Sequence, residues 1–387
     1  MRQVSIRGIT WNHSRALPPL VATAQRFEEL HPEVRITWEK RTLHEFGHAD
    51  ITALARNVDL LVIDHPMVGD AEAAGALTDL LPMLSSAEIK DLQHDSVGPS
   101  FSSDLYHDKL YALPIDAAAP AASFRPDLLE RHGLKEPQVW ADVVSLARLG
   151  LVRMPAFSAD LFLNFMGLCV SLGSPIASNS EQLVDTDIGA YCLELLYELA
   201  ALMPSEIYSL NPIALYEQMA SEDSFAYCPF AYTYSNYSRI GFAAKPIRFS
   251  NPVTLGRDKS MRTVLGGTGI AISSECKDTA LALQYSRFVA SESCQRTIYG
   301  QSGGQPARKS AWNDPVLNQI TDSFFLRTDD SIERAYVRPR YRGYVVLQER
   351  AGQVIAEYCK RHGNTRGALE QIDVLYRLTL GREKQHV

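Results

Sequence analysis

Apolar and polar positions along the first sixty residues follow a strand–helix–strand order. The stretch VSIRGITW, residues 4–11, mixes β-branched apolar with polar positions and predicts a strand. Apolar residues then recur at helical spacing before Pro32, at Leu17, Leu20, Ala24, Phe27 and Leu30. The stretch VRITWEK, residues 34–40, predicts a second strand, and DLLVID, residues 59–64, is a compact apolar run typical of a buried parallel strand. Helical patterning fills the gap between those two strands.

This β-α-β-α-β series predicts a parallel sheet with helices on both faces. In such sheets ligands collect beyond the carboxyl ends of the strands. We therefore expect a ligand site built from the residues that follow the three strands, namely Trp11, Asn12, His13, Arg41, Asp64 and His65. Any one of them is equally well explained as a loop or helix cap, but together they offer donors, acceptors and an aromatic face suited to a polyhydroxylated solute.

The middle region, about residues 125 to 260, changes character. The apolar stretch LFLNFMGLCVSLGSPIA is interrupted by Asn164, glycines and Pro175, which indicates a core helix rather than a membrane span. The aromatic-rich stretch FAYCPFAYTYSNYSRIGF predicts a core strand for most of its aromatic side chains. We expect one or two of its tyrosines, Tyr232 and Tyr234, to line the ligand site instead.

Read in order, several segments resemble the family-one extracellular solute-binding proteins, the sugar-binding components of ABC importers. FEELHPEVRITWE is similar to their first helix and second strand, and DLLVIDHPMVGDAEAAGALTDLLPML is similar to the following strand and helix. The stretch beginning YHDKLYALP resembles the family's G-K-x-Y-x-L-P, with Asp108 where the family usually has Gly. VLGGTGIAISSECKDTALALQYSRFVASESCQ and GGQPARKSAW resemble the return strand with its helix and the family's G-x-x-P-a.

The resemblance implies an α/β, two-lobed periplasmic-binding-protein-like fold of type II. Each lobe would be a mostly parallel sheet flanked by helices, with the ligand cleft between the lobes and closure by a hinge motion. Lobe one would comprise residues 1–115 and 262–311, and lobe two residues 116–261 and 312–387. Asp116 would lie where the first crossing strand ends, and Gly267 would serve the hinge, because glycine tolerates the backbone changes of closure. Arg340 lies where the family's C-terminal part passes the cleft.

We therefore expect non-catalytic binding of a small polar solute, a carbohydrate or related metabolite, without a cofactor and by a monomer. An ABC permease would be the partner of an exported protein. A net charge of −7 without blocks of like charge argues against nucleic acid as a partner, and no apolar run is long enough for membrane insertion. As written, the chain opens with no signal-peptide pattern, which predicts a cytoplasmic location, or a periplasmic one if a leader was removed.

Two alternatives stay open. The first is a cytosolic carrier or sensor of an anionic metabolite, phosphorylated or CoA-linked, because Arg41, Arg338 and Arg340 could pair with an anion. The second is a zinc metallohydrolase, because His44-Glu45-Phe46-Gly47-His48 reads as H-E-x-x-H, with Glu72 as a candidate third ligand. For that motif we favour two exposed histidines on a surface helix. The six cysteines form no C-x-x-C pattern and predict buried free thiols.

Overall fold

The structure is a computed structural model that describes residues 4–48, 50–256 and 260–383. The described residues form ten strands: β1 Val4–Trp11, β2 Val34–Arg41, β3 Leu60–Ile63, β4 Leu105–Tyr106, β5 Lys109–Leu110, β6 Leu113–Ala118, β7 Pro120–Phe124, β8 Tyr227–Tyr232, β9 Arg248–Ser250 and β10 Gly266–Ile272.

Helices connect these strands and make up most of the second half of the chain. Up to residue 221 they are α1 Leu17–Leu30, α2 Leu43–His48, α3 Ile51–Ala55, α4 Val68–Ala74, α5 Ser86–His94, α6 Ser100–Ser103, α7 Pro126–Arg131, α8 Trp140–Arg148, α9 Ser158–Ser171, α10 Thr186–Ala200 and α11 Pro212–Ser221. After β10 they are α12 Thr279–Ala290, α13 Glu292–Cys294, α14 Lys309–Trp312, α15 Pro315–Ile320, α16 Phe324–Arg327, α17 Asp329–Glu333, α18 Tyr344–Arg361 and α19 Thr365–Glu383. Short 3-10 turns and one π-helical turn, Gln295–Tyr299, complete the described elements.

The chain divides into two compact units. Unit 1 consists of the described parts of Met1–Ala118, Gly266–Ile320 and Arg340–Val345, and unit 2 of those of Ala119–Leu265, Thr321–Pro339 and Val346–Val387. Compared with the division expected from the sequence, residues 312–320 join unit 1, as do residues 116–118 and 340–345, whereas residues 262–265 join unit 2. Packing accounts for the first difference, since the indole of Trp312 donates to the Pro306 carbonyl and the Leu317 side chain lies against Gly300.

Unit 1 is built on a five-stranded sheet in the order β2-β1-β3-β10-β6. β1 pairs in parallel with β2 and β3, whereas β10 pairs antiparallel with both β3 and β6. Side chains of β3 alternate between two buried clusters: Leu60 and Val62 pack with Phe27 on one face, and Leu61 and Ile63 pack with Val68 on the other. The apolar run around β3 is thus buried on both faces, as expected for a central strand covered by helices.

The sheet of unit 2 differs from the parallel sheet expected for lobe two. Its order is β8-β7-β9, and β7 pairs antiparallel with both neighbours. That expectation was wrong because the alternation of strand and helix, which demands parallel pairing, stops at Phe124. Between β7 and β8 the described elements are helices apart from isolated bridges at Val139 and Val152.

None of the described helices is both long enough and apolar enough to cross a membrane. The stretch expected to be a core helix is α9, whose residues 161–170 are all buried. All six cysteines are buried and free, which confirms the prediction made from their spacing.

Candidate functional site

The topology of unit 1 gathers most of the predicted site residues at one edge of its sheet. Trp11 and Arg41 are register partners at the carboxyl ends of β1 and β2, and the Asn12 N–H donates to the Arg41 carbonyl at 2.8 Å. Because β10 runs antiparallel, its amino end reaches this same edge: Gly269 pairs with Ile63, the last residue of β3. We call the edge formed by residues 10–13, 41, 64–65, 116 and 267–268 the strand-end site.

Trp11 and Arg41 are buried together at the end of this edge formed by β1 and β2, at 2% and 6% exposure. The Trp11 ring lies 4.9 Å from that of Phe46, and the Arg41 guanidinium lies 5.1 Å from the same Phe46 ring. Arg41 Nη2 donates to the Val62 carbonyl at 3.2 Å. Burial lowers the pKa of Arg41 to about 10, opposed by the charge of Glu45, so the guanidinium is still charged at neutral pH.

Several buried polar atoms of the strand-end site have no hydrogen-bond partner among the described residues. They are Thr10 Oγ1, Trp11 Nε1, Arg41 Nε, Arg41 Nη1 and Thr268 Oγ1. A buried polar atom without a partner costs about 1–3 kcal/mol, so native proteins rarely leave them without a reason. A cluster of such atoms at one edge of a sheet is a feature expected of a binding site for a polar ligand.

Asp116 and His13 are engaged within the protein. Arg15 Nε donates to Asp116 Oδ2 at 2.8 Å, and a second, shorter contact joins Arg15 Nη2 to Asp116 Oδ1. Both partners are buried, so this two-pronged ion pair is part of the scaffold. The His13 ring accepts the Arg15 backbone N–H at Nδ1, at 2.9 Å. Burial, with the charge of Arg15, lowers the pKa of His13 to about 3, and the ring is neutral at physiological pH.

Asp64 and His65 begin the turn that follows β3, and their side chains approach each other, with Asp64 Oδ1 3.3 Å from His65 Nδ1. His65 also lines a small cavity of about 10 Å³, roughly the space of one water molecule. Other residues of its wall are Ser100, Ser103, Asp104, Asp116 and Thr268. Burial raises the pKa of Asp104 well above its ordinary value, against the opposing charge of Arg340.

Gly267 is required by close packing. Its φ is +101°, and a Cβ at this position would lie 2.4 Å from the Asp116 carbonyl oxygen. The residue pairs with Ala117 in the antiparallel ladder of β10 and β6. Glycine at 267 therefore lets β10 approach the strand that carries Asp116; the hinge role expected from the sequence stays a prediction.

The remaining predicted site residues have structural partners. Arg340 Nη1 donates to the carbonyls of Ser102 and Ser103, at 2.9 and 3.0 Å, and also contacts that of Leu105. The Tyr232 hydroxyl donates to the Leu265 carbonyl at 3.2 Å within unit 2. Tyr234 is buried, and its ring meets Tyr216 edge-on, so it belongs to the aromatic core of that unit. Their predicted contacts with ligand remain predictions.

The HEFGH stretch forms α2, and the side chains of His44 and His48 lie outside the described residues. Glu45 Oε2 accepts from the Thr42 N–H and hydroxyl at 2.7 and 2.9 Å, while the Glu45 N–H donates back to Thr42 Oγ1 at 3.1 Å. This reciprocal pair is a capping box, so the glutamate that a metalloprotease would use as a base caps its own helix. Glu72 accepts hydrogen bonds from the Tyr111 hydroxyl and the Lys109 ammonium, and lies 2.7 Å from the His107 ring nitrogen.

Three residues that matter at this edge escaped the sequence-based list: Arg15, Asp104 and Thr268. Arg15 and Asp104 are charged residues that the fold buries at 4% and 2% exposure, which no local pattern signals. Thr268 lies in a strand recognised from its paired glycines, and only the antiparallel direction of β10 brings it to this edge.

The model of the bacterial extracellular solute-binding proteins matches residues 10–295, about three quarters of the chain. The chain belongs to that family. Membership agrees with the solute-binding function predicted from the sequence, and the whole strand-end site lies within the matched range.

Similar proteins agree with this assignment. A mannitol-binding protein of Pseudomonas aeruginosa is 36% identical over 118 residues, a match that spans 29% of this chain and only 26% of that protein. A ribitol complex of an ABC transporter solute-binding protein from Agrobacterium radiobacter superposes with a TM-score of 0.81 at 18% identity, covering 97% of this chain and 99% of the other. A maltose-bound protein of T. maritima gives 0.82 at 18% identity, with 97% and 99% covered. These structures confirm the two-lobed fold class.

Proposed function

We propose that this protein binds a sugar, a polyol or a closely related polyhydroxylated solute at the strand-end site, as the binding component of an ABC-type importer. The observation that carries the proposal is the set of buried, unpartnered polar atoms at residues 10, 11, 41 and 268. Hydroxyl groups both donate and accept, so a polyol is suited to satisfy indole, guanidinium and hydroxyl groups together.

The names of similar proteins support this class of ligand. The curated relative binds mannitol, and solved structures of the same fold hold ribitol and D-mannitol. Import as the biological setting is supported by the names of the ribitol and D-mannitol complexes, which describe ABC transporter solute-binding proteins. An extracytoplasmic location, with an ABC permease as partner and a monomeric chain, completes the proposal.

We further propose that the protein catalyses no reaction. Glu45 of the H-E-x-x-H stretch is occupied by helix capping, and Glu72 by His107, Lys109 and Tyr111. Within the described part of the chain, no group of three or more His, Cys, Asp or Glu side chains is arranged to hold a metal ion. A zinc determination on the purified protein tests this: stoichiometric zinc whose removal lowers the melting temperature would revive the metallohydrolase alternative.

Thermal unfolding against a panel of solutes tests the binding function. A ligand that binds only the folded state stabilises it by RT ln(1 + [L]/Kd), about 2.7 kcal/mol at a concentration of 100 Kd. We expect at least one of ribitol, D-mannitol, D-tagatose, maltose and their acidic derivatives to raise the melting temperature. A panel that leaves it unchanged would contradict the proposal.

A matched pair of tryptophan variants locates the binding site. Trp11→Phe keeps an aromatic ring but removes the unpartnered Nε1–H, so we expect ligand affinity to fall by about 5- to 30-fold. Trp38→Phe is the control, because its Nε1–H already donates to the Tyr285 hydroxyl at 3.2 Å. That variant should bind ligand as the wild type does, and equal losses in both would argue against the strand-end site.

A further inference from the structure

Of the five buried arginines among the described residues, three pair with carboxylates, and Arg338 donates to the Leu265 carbonyl and to Gln348 Oε1. Arg15 pairs with Asp116, Arg125 with Asp127 and Asp223, and Arg308 with Asp91 and Asp95. Their exposures are 4%, 1% and 5%, so each charge removed from water has been given a counter-charge. This is the usual rule, because an unpaired buried charge is strongly destabilising.

Arg41 departs from this rule. It is as buried as the others, at 6% exposure, yet it forms no ion pair with any described residue. Its Nη2 reaches the Val62 carbonyl, but Nε and both hydrogens of Nη1 have no acceptor in the described part of the chain. Glu45, whose charge acts on Arg41, uses Oε2 to cap α2 through Thr42. The strand-end site therefore contains a buried positive charge that Glu45 influences but that no carboxylate of the described residues contacts as an ion pair.

Acidic residues also lie at this edge, and they restrict which anion can pair with Arg41. Asp64, Asp104 and Asp116 all lie in or beside the strand-end site. The neighbouring arginines, Arg15 and Arg340, are held by Asp116 and by the carbonyls at the end of α6. A phosphate dianion would meet several carboxyl groups and gain one unpaired cation, whereas a carboxylate brings a single charge that one guanidinium balances.

We propose that the solute is a sugar acid, an aldonic or uronic acid whose carboxylate pairs with Arg41. The hydroxyl groups of the same molecule would then satisfy Trp11 Nε1 and the threonine hydroxyls at 10 and 268. This inference rests on the proposed solute-binding function and specifies its ligand class. A neutral polyol can also accept hydrogen bonds from Arg41, but it brings no negative charge into contact with the buried guanidinium.

Isothermal titration calorimetry with matched solutes tests the inference. The pairs are D-mannitol with D-mannonate, ribitol with ribonate and glucose with glucuronate, with mannitol 1-phosphate as the phosphate probe. We expect at least one acid to bind about tenfold or more tightly than its neutral partner, which corresponds to the strength of a charge-assisted hydrogen-bonded pair. That preference should weaken as salt is added.

Variants separate the charge of Arg41 from its packing. Arg41→Met should lower affinity for the acid about tenfold more than affinity for its neutral partner, and so abolish the preference, whereas Arg41→Lys should keep part of it. Arg35→Met is the matched control, because Arg35 lies on the same strand, β2, with an exposed side chain paired to Glu28. Arg35→Met also removes one positive charge, but at a distant position of the strand, and it should bind acid and neutral solute as the wild type does.

The outcomes distinguish this inference from the proposed function. Tighter binding of a polyol than of its acid, or of the phosphate than of every carboxylate, overturns the sugar-acid assignment while upholding solute binding. Equal losses for acid and polyol in Arg41→Met assign Arg41 a positioning role and also overturn it. Absence of binding by every solute in the panel contradicts both proposals.

Discussion

Arg41 carries a charge into the interior of unit 1, where Glu45 acts on it electrostatically but no described carboxylate forms an ion pair with it. Its hydrogen bond to Val62 and its contact with Phe46 hold the side chain in place without neutralising it. Residues arranged for a ligand often cost the free protein stability in this way. We therefore expect the buried charge of Arg41 to lower the stability of the unliganded protein.

Replacing this side chain should stabilise the free protein. In Arg41→Met the buried charge disappears and most of the packing volume remains, so we expect the free energy of unfolding to rise by about 1 kcal/mol. Chemical denaturation without ligand measures the change. A lower stability would indicate that the contacts with Val62 and Phe46 outweigh the cost of the charge.

Two glycines give a contrast between crowding and backbone conformation. Gly267→Ala would place a Cβ 2.4 Å from the Asp116 carbonyl at a φ of +101°, whereas Gly75, with φ of +60°, has no atom within 4 Å of a built Cβ. We expect Gly267→Ala to lower the free energy of unfolding by about 3 kcal/mol and Gly75→Ala by about 1 kcal/mol. Thermal denaturation of both variants checks the order, and equal losses would contradict the packing role of Gly267.

At the scale of elements, the hairpin of β4 and β5 explains a departure from the family pattern. His107 and Asp108 join the two strands, and both have positive φ, +45° and +60°. Tight two-residue turns of this kind favour glycine at the second position. The positive φ required by this turn thus explains why the family usually has glycine at position 108.

Restoring the glycine should therefore stabilise the hairpin. Asp108→Gly relieves the left-handed strain, and we expect the free energy of unfolding to rise by about 0.5–1 kcal/mol. Asp108→Ala is the comparison, because it removes the carboxylate and keeps the strain. If both variants change stability equally, charge rather than backbone conformation decides the effect.

At the scale of the whole molecule, each compact unit is assembled from three separate parts of the chain. The strand β10 returns from residue 266 to lie between β3 and β6, in the interior of the five-stranded sheet. Residues before 119 thus supply four of the five strands of the unit 1 sheet. They do not include β10, which pairs with both β3 and β6 and so connects them. Folding of unit 1 depends on a segment almost 150 residues away.

Truncation tests this dependence. A fragment ending at Ala118 would expose the edges of β3 and β6 and lose the apolar side chains Ile270 and Ile272 from the core. We expect it to show no cooperative thermal unfolding by circular dichroism, whereas the full chain should unfold cooperatively. A stable, cooperative fragment would contradict the interdependence of the segments.

Much of this protein follows from local pattern. Alternating and helical periodicities predicted β1, α1 and β2 and the apolar run containing β3, because each must bury an apolar face that its sequence spacing encodes. The rule that ligands collect at the carboxyl ends of parallel strands brought Trp11, Arg41, Asp64 and His65 together before any coordinates. The ordered segments also identified the family, because similarity in order is a property of the sequence.

Tertiary structure alone decided which side chains remain available for a ligand. Arg15 and Asp116 are 101 residues apart, and Arg340 meets carbonyls about 237 residues earlier, so their pairing has no signal in local spacing. The antiparallel pairing in unit 2 also depends on contacts between distant segments rather than on periodicity. Long-range pairing gives some buried charged groups an ion-pair partner and leaves others, such as Arg41, without one among the described residues. Such contacts form only when the chain is folded.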